Sequence, residues 1–260
     1  MTHSDGKTVR RHRPRRKFQH NGLFVPARNL EWHAPFKWLA QGWQDFRQAR
    51  QLSVTYGLFF AISGLVLSVL VAFFHSTIFL FSLAGLFLLL GPLLAFGLYD
   101  IPRQLERGEA PTLEHSMTQI RNSAANQWIF AVVLIVIALM WMRAASIIYV
   151  FYPEGEAPSL ESLVNFFAIG IGAGAFFSGL VFGISAFSLP MMMDRNADAI
   201  SASLTSLSAV VNNLLVSTLW ALLILLLVAF GFATACLGFV VVLPLIGYAT
   251  WHGYKDAILD

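Results

Sequence analysis

The sequence predicts an all-α, polytopic membrane protein with about six transmembrane helices. Hydrophobic residues make up 57% of the 260 residues and charged residues only 12%, whereas soluble domains average about 25% charged residues. The mean hydropathy is +0.66. Apolar stretches of roughly 20 residues, the length that a helix needs to cross a bilayer, recur along the chain. Because they alternate with amphipathic segments, we expect three like-oriented hairpins, each preceded by a short cytoplasmic helix.

Residues 1–34 are basic and carry few apolar side chains. Six cations cluster in this segment: Arg10, Arg11, Arg13, Arg15, Arg16 and Lys17. We expect a disordered cytoplasmic tail that touches anionic headgroups, with docking onto an acidic partner as the alternative. No apolar core follows the charges, so a cleaved signal peptide is not expected. The net charge of +3 comes largely from this tail, and nucleic acid is therefore not expected as a partner.

A short amphipathic helix is predicted from Pro35 to Arg50, at the start of a membrane domain that covers residues 35–260. Its apolar residues recur at spacings of three and four: Phe36, Leu39, Trp43 and Phe46. Such a helix suits the plane of the headgroups, and docking on the protein's own loops is an equal alternative. Trp38 and Trp43 are candidates for contact with lipid or a partner.

The predicted spans are apolar and nearly free of charge. They are residues 53–74, 78–99, 128–151, 164–188, 209–232 and a shorter one at 235–251. Only residues 75–77 separate the first two spans, which predicts a tight hairpin. The last two spans are joined as closely.

The charges between the spans predict the orientation, because Lys and Arg of short loops stay in the cytoplasm. The basic residues all fall on one side: Arg47, Arg50, Arg103, Arg107, Arg121, Arg195 and Lys255. The loop 152–163 lies on the other side and holds three glutamates and no cation. Both termini are therefore expected to be cytoplasmic.

One segment recurs and divides the chain into related units. The pair Glu106–Arg107 follows Pro102, and the pair Asp194–Arg195 follows Pro190, at an offset of about 88 residues. A further match, at an offset of about 74 residues, relates the first amphipathic helix to Leu113–Arg121. We expect each acidic and basic pair to anchor a helix break at the cytoplasmic face. Contact with another repeat, a partner or lipid is the alternative.

The fourth predicted span is rich in small residues. Its candidate packing residues are Gly170, Gly174, Ser178, Gly179 and Gly183. Small residues at spacings of four let helices approach closely in lipid. We expect this span to be the central packing helix, with a close-approach site for a ligand or quinone as the alternative.

Arg143 is the one full charge well inside a predicted span. Such a residue is a functional candidate. It lies about two turns from the end of its helix, close enough for its side chain to reach the interface. We therefore expect an anchoring role, with binding of an anionic group or partner as the alternative.

Residues that could carry catalysis are not found in a suitable pattern. The single cysteine, Cys236, lies in an apolar run, and no serine nucleophile has a base nearby. The membrane-proximal histidines, His75 and His252, are expected at opposite faces, so haem ligation is not expected. The sequence therefore predicts no catalytic residue, metal site or cofactor, and a protein that is not an enzyme.

Three segments together carry a family resemblance: GPLLAFGLYDIPRQLERGEAPTLEHSM, FSLPMMMDRNADAISASLTS and FVVVLPLIGYATWHGYKD. In these segments the chain resembles bacterial integral membrane proteins grouped under the domain of unknown function 2189. The resemblance covers residues 34–258 and implies a multi-pass protein of the bacterial inner membrane. It implies no activity and no catalytic residue.

Two functions agree with these observations. The first is a non-catalytic accessory or scaffold subunit of a larger inner-membrane complex, such as a respiratory complex, whose partners are the bilayer and other membrane proteins. Bound phospholipids are compatible with it. The alternative is a transporter or lipid-handling protein, in which like-oriented hairpins enclose a pathway.

Overall fold

The computed structural model describes residues 25–74, 96–122, 124–153 and 159–259. Regular structure in these ranges is helical, apart from a single antiparallel bridge between Ala27 and Ile258. Most of the basic tail, nearly all of the second predicted span (78–99) and residues 154–158 of the acidic loop lie outside the described residues.

Ten helical segments are described. They are α1 (Ala34–Gln48), α2 (Arg50–Phe74), α3 (residues 96–106), α4 (Leu113–Asn122), α5 (Ala124–Tyr149), α6 (Leu160–Ser185), α7 (Ser188–Arg195), α8 (Ala199–Asn212), α9 (Leu214–Ala233) and α10 (Phe239–Ala257).

A short helix is followed almost directly by a long apolar helix at three places in the chain. The pairs are α1–α2, α4–α5 and α8–α9. The first pair breaks at Ala49 and the third at Asn213. Asn213 holds its break in place, because its side-chain amide donates to the carbonyl oxygen of Ala209 at 3.0 Å and accepts from the amide of Leu30 at 2.7 Å. This order of helices agrees with the repeats in the sequence.

Four described stretches are long and apolar enough to cross a membrane. They are Arg50–Leu70, Ala124–Tyr149, Leu160–Arg195 and Leu214–Ala233. The fourth predicted span, 164–188, is not one continuous helix. Helix α6 ends at Ser185, and α7 begins at Ser188. Ser206 bridges this break: its hydroxyl donates to the Gly183 carbonyl oxygen at 2.8 Å and accepts from the Phe187 amide at 3.0 Å.

The sixth predicted span, 235–251, differs most from the structure. The corresponding helix α10 begins at Phe239 and continues to Ala257, so its second half carries His252, Lys255 and Asp256. It is not among the four apolar stretches. The turn before α10 places Ala235 and Cys236 at positive φ, which non-glycine residues seldom adopt.

Helix α10 occupies the centre of the described fold and packs on α1 and α2. A Cβ atom at Gly57 of α2 would lie 1.9 Å from the carbonyl oxygen of Val240, and one at Gly42 of α1 would lie 2.8 Å from the amide nitrogen of Ala249. Glycine at both positions therefore lets two backbones approach each other. The largest core cluster lies beside this contact and includes Trp38, Trp220, Trp251 and Tyr254.

Candidate functional site

The second half of α10 is joined to four other helices by side-chain hydrogen bonds. Tyr248 bonds to Ser53 of α2 at 2.8 Å, and the indole nitrogen of Trp251 donates to Glu106 of α3 at 2.9 Å. The ring of His252 lies 2.6 Å from Asp45 of α1. The fourth helix is α7, whose residues Asp194 and Arg195 bond to the hydroxyl of Tyr254. Buried polar groups normally find such partners, and here each partner is on a different helix.

The pair Asp194–Arg195 surrounds the hydroxyl group of Tyr254. The hydroxyl donates to Oδ2 of Asp194 and accepts from Nε of Arg195, both at 2.9 Å. Lys255 donates to the same Asp194 oxygen at 3.1 Å. Burial, and then the neighbouring Asp194 carboxylate, raise the pKa of Tyr254 well above its usual range, so it stays neutral. The pair therefore anchors α7 to α10.

The other sequence-predicted contact residues fall in different environments. Glu106 binds Trp251, whereas Arg107 is exposed. Trp38, a candidate for contact with lipid or a partner, is 1% exposed and donates to Asp256 at 3.1 Å, so it belongs to the core. Trp43 is 44% exposed and stacks on Phe46 of its own helix, with 5.4 Å between the ring centroids.

The small residues of α6 do not form one packed surface. Gly183 packs against Leu207 of α8, and Gly174 is in ordinary contact with Trp141 of α5, 3.6 Å from its Cβ position. At Gly170 and Gly179, no described atom lies within 4 Å of the Cβ position, and Ser178 is exposed. In the described part of the chain the central position expected for this helix is held by α10. A packing role for the open residues stays a prediction.

Arg143 lies on the exposed side of α5. It forms no hydrogen bond or ion pair with any residue in the described ranges, and Glu154 and Glu156 fall outside those ranges. Its anchoring role therefore stays a prediction.

The sequence interpretation missed a buried polar cluster beside α10. We call it the Asp100 cluster; its members are Tyr56, Asp100, Arg103, Gln104, His115 and Ser116. The Asp100 side chain is fully buried. Its Oδ2 accepts from Gln104 at 2.6 Å and from Ser116 at 2.9 Å, and lies 2.8 Å from Nδ1 of His115. These contacts tie α4 to α3.

Several atoms of the Asp100 cluster are buried without a hydrogen-bond partner among the described residues. They are Oδ1 of Asp100, Nε and Nη1 of Arg103 and the hydroxyl of Tyr56. Arg103 Nη1 and Asp100 Oδ1 are 3.9 Å apart, which is too long for a hydrogen bond. Burial lowers the pKa of Arg103, as does Arg107, although nearby acidic groups act in the opposite direction. Asp100 and Arg103 thus form a loose ion pair, and the buried atoms that it leaves without a hydrogen bond call for an explanation.

The candidate site is thus a polar layer around the second half of α10. Among the described residues, the Asp100 cluster is the part of this layer where buried atoms of charged groups lack a hydrogen bond. In those same ranges, no group of three His, Cys, Asp or Glu residues is placed to hold a metal ion. The layer has members in all three segments that carry the resemblance.

Residues 78–194 match the family model of predicted integral membrane proteins, DUF2189. The match confirms the resemblance over this range, which includes Asp100, Arg103 and His115 of the Asp100 cluster. The DUF2189 description and the apolar helices together establish a membrane protein. No curated protein matches the chain. No solved structure matches it either.

Proposed function

We propose that this protein is a non-catalytic accessory or scaffold subunit of a larger complex in the bacterial inner membrane. The observation that carries the proposal is a face of small residues on α6. We call it the small-residue face and define it as Ala168, Gly172, Ala175 and Gly179. All four residues are exposed. At Gly172 and Gly179, no described atom lies within 4 Å of the Cβ position.

The opposite side of α6 is held by its own chain. The ring of Phe177 lies 5.5 Å from that of Trp141 on α5. One turn beyond Gly179, on the same side as the small-residue face, Gly183 packs against Leu207 of α8, and the open face ends there. In the apolar stretch that makes this helix a candidate span, only 6% of the residues are buried. The small-residue face therefore points away from the described bundle.

A face of small residues is suited to a partner helix. Lipid offers no hydrophobic drive for helix association, so helices associate where small side chains let backbones approach. Asn165 is exposed next to the face and supplies a hydrogen-bonding group at the same side of α6. A partner membrane helix that packs here would place this protein at the edge of a larger assembly.

Cross-linking in native membranes tests this proposal. The only native cysteine, Cys236, is buried. Gly172→Cys therefore adds one accessible thiol on the small-residue face, and Ile169→Cys adds a matched thiol on an exposed residue beside it. We expect Gly172→Cys to cross-link to a different membrane protein, and Ile169→Cys to do so far less. A product with only twice the mass of this chain would contradict the accessory role and indicate self-association.

Bulky substitutions provide a second measurement. Gly172→Leu should release the co-purifying partner, because overpacking costs about 1–3 kcal/mol, which corresponds to about fivefold to more than a hundredfold in affinity. Ile169→Leu leaves the small-residue face unchanged and should retain the partner. Equal recovery from both variants would mean that this face contacts lipid.

The proposed topology belongs with this role. Three like-oriented hairpins with cytoplasmic termini would place the acidic loop 152–163 in the periplasm and the polar layer around α10 at the cytoplasmic face. The basic residues between the spans support this orientation. Transport or lipid handling stays an alternative prediction from the sequence.

A further inference from the structure

The α3–α4 and α7–α8 segments are two copies of one helical unit. Their sequences match at an offset of about 87 to 88 residues. The first helix of each copy is followed by a residue in the left-handed region, Gly108 with φ 72° and Asn196 with φ 51°. The two residues occupy equivalent positions, one after each acidic and basic pair. Sequence and backbone therefore relate the two copies residue by residue.

The Asp100 cluster is present in the first copy and replaced in the second. Of its five members that lie in the repeat, Ser116 matches Ser203, and the other four differ: Asp100, Arg103, Gln104 and His115. Their counterparts in the second copy are Ser188, Met191, Met192 and Ala202. These counterparts are 0%, 3%, 2% and 0% exposed. The same unit is therefore well packed with small and apolar side chains where the first copy buries charges.

The two copies together show whether this helical unit needs the charged side chains in order to fold. Removing a carboxylate and a guanidinium from water is expensive, and apolar residues of similar size often replace such pairs without loss of stability. The second copy shows such a replacement in the same chain. The fold thus does not require ionisable side chains at these positions, and a bound ligand would give partners to the atoms that lack hydrogen bonds.

The unpaired atoms define the chemistry of that ligand. Nε of Arg103 lies on a guanidinium edge that can bind phosphate or carboxylate, and Nη1 is a second donor without a hydrogen-bond partner, which points away from that edge. Oδ1 of Asp100, 3.9 Å from Nη1, needs a hydrogen-bond donor. Asp194 and Glu109 act electrostatically on Arg103 and disfavour a simple anion. A phosphate that carries an adjacent ammonium group meets these requirements.

The position of the cluster fits a lipid headgroup. Asp100 directly follows the second predicted span, 78–99, and Tyr56 lies near the start of the candidate span Arg50–Leu70. The cluster is therefore at the depth where helices leave the hydrocarbon. His115, whose side chain is 34% exposed, covers Asp100 through one hydrogen bond. A headgroup would reach the unpaired atoms by displacing this ring.

We propose that the Asp100 cluster binds a phosphoethanolamine group, with the phosphate on Arg103 and the ammonium on Asp100. Phosphatidylethanolamine of the surrounding leaflet and soluble phosphoethanolamine share this chemistry. The site is separate from the small-residue face, so either proposal can fail without the other.

Native mass spectrometry of the full chain in detergent tests the site. The probes are phosphatidylethanolamine, phosphatidylcholine of the same acyl chains, and soluble phosphoethanolamine. Choline has no N–H donor for Asp100, so we expect about tenfold or greater preference for the ethanolamine lipid, the effect of one hydrogen bond to a charged group. If the protein retains phosphatidylethanolamine but not soluble phosphoethanolamine, the ligand comes from the membrane. Retention of the soluble compound without a lipid preference identifies a soluble ligand.

Variants taken from the second copy provide the control. The combined change D100S, R103M, Q104M and H115A installs residues that this unit already accommodates, so it should fold and lose the preference. Should that variant unfold, Asp100→Asn keeps the size of the side chain and should abolish the preference for ethanolamine over choline. Equal retention of both lipids by the unmodified protein, without retention of soluble phosphoethanolamine, would overturn the proposal. A preference that survives both variants would do the same.

Discussion

Replacing Gly57 with alanine should separate α2 from α10. The new Cβ would lie 1.9 Å from the Val240 carbonyl oxygen, where real contacts are at least 3.0 Å, so the helices must part by about 1.1 Å. The obstacle is backbone, which no rotamer change can relieve. Overpacking of this kind costs about 1–3 kcal/mol, more than the helix propensity of about 1 kcal/mol that alanine gains over glycine.

The native cysteine makes this separation measurable. Cys236 is 4% exposed, and its sulfur lies 3.4 Å from the Cβ position of Gly64, two turns along α2 from Gly57. A thiol-reactive fluorescent dye should therefore label Cys236 at a lower temperature in Gly57→Ala than in the unmodified protein.

Gly179→Ala is the matched control, because no described atom lies within 4 Å of the new Cβ. It should label at the same or a higher temperature, since only the propensity gain of about 1 kcal/mol applies. Identical labelling curves for Gly57→Ala and the unmodified protein would refute the close approach of α2 and α10.

Three further outcomes are expected. Tyr254→Phe should lower the free energy of unfolding by about 1–3 kcal/mol, because Asp194 and Arg195 each lose a partly buried hydrogen bond; a thermal melt in detergent measures this. Asp198 caps α8, and hydrogen bonds from the first-turn amides lower its pKa. The stabilisation that the ionised Asp198 cap gives to α8 is therefore present above about pH 4, and it is lost as the pH falls through the folded-state pKa of Asp198. Asp198→Ala should cost about 0.5–2 kcal/mol at neutral pH and little in acid, whereas Asp198→Asn should keep the cap; melts at both pH values compare them. Ser159→Cys should react with an impermeant thiol reagent added to cells with a permeable outer membrane and an intact inner one, and labelling only after the inner membrane is broken would invert the proposed topology.

The long apolar helices could be predicted closely from the sequence. The expected spans 128–151 and 209–232 correspond to Ala124–Tyr149 and Leu214–Ala233. Each is determined by a continuous run of apolar residues, and such a run is a local property. The ends of α6 and α10 are harder to predict from the sequence, because they depend on contacts between distant residues. The bridge that Ser206 makes at the end of α6 is an example.

The candidate site could not be predicted in the same way. The bonds from Trp38 to Asp256 and from Trp251 to Glu106 join residues 218 and 145 positions apart. No local pattern indicates such pairs. Asp100 and Arg103 lie just past the end of the second predicted span, where charged residues are common and do not by themselves indicate a site. A comparison of the two repeats would have found them, since their counterparts are Ser188 and Met191.

The position of α10 in the chain has a consequence for biosynthesis. Four helices that it joins, α1, α2, α3 and α7, are synthesised and inserted before it. Until α10 leaves the ribosome, Asp45, Glu106 and Asp194 lack the partners that they have in the finished protein. A nascent chain that stops before Phe239 therefore exposes these groups together with the core that α10 covers. Completion of α10 therefore pairs these charges and covers the core in one step.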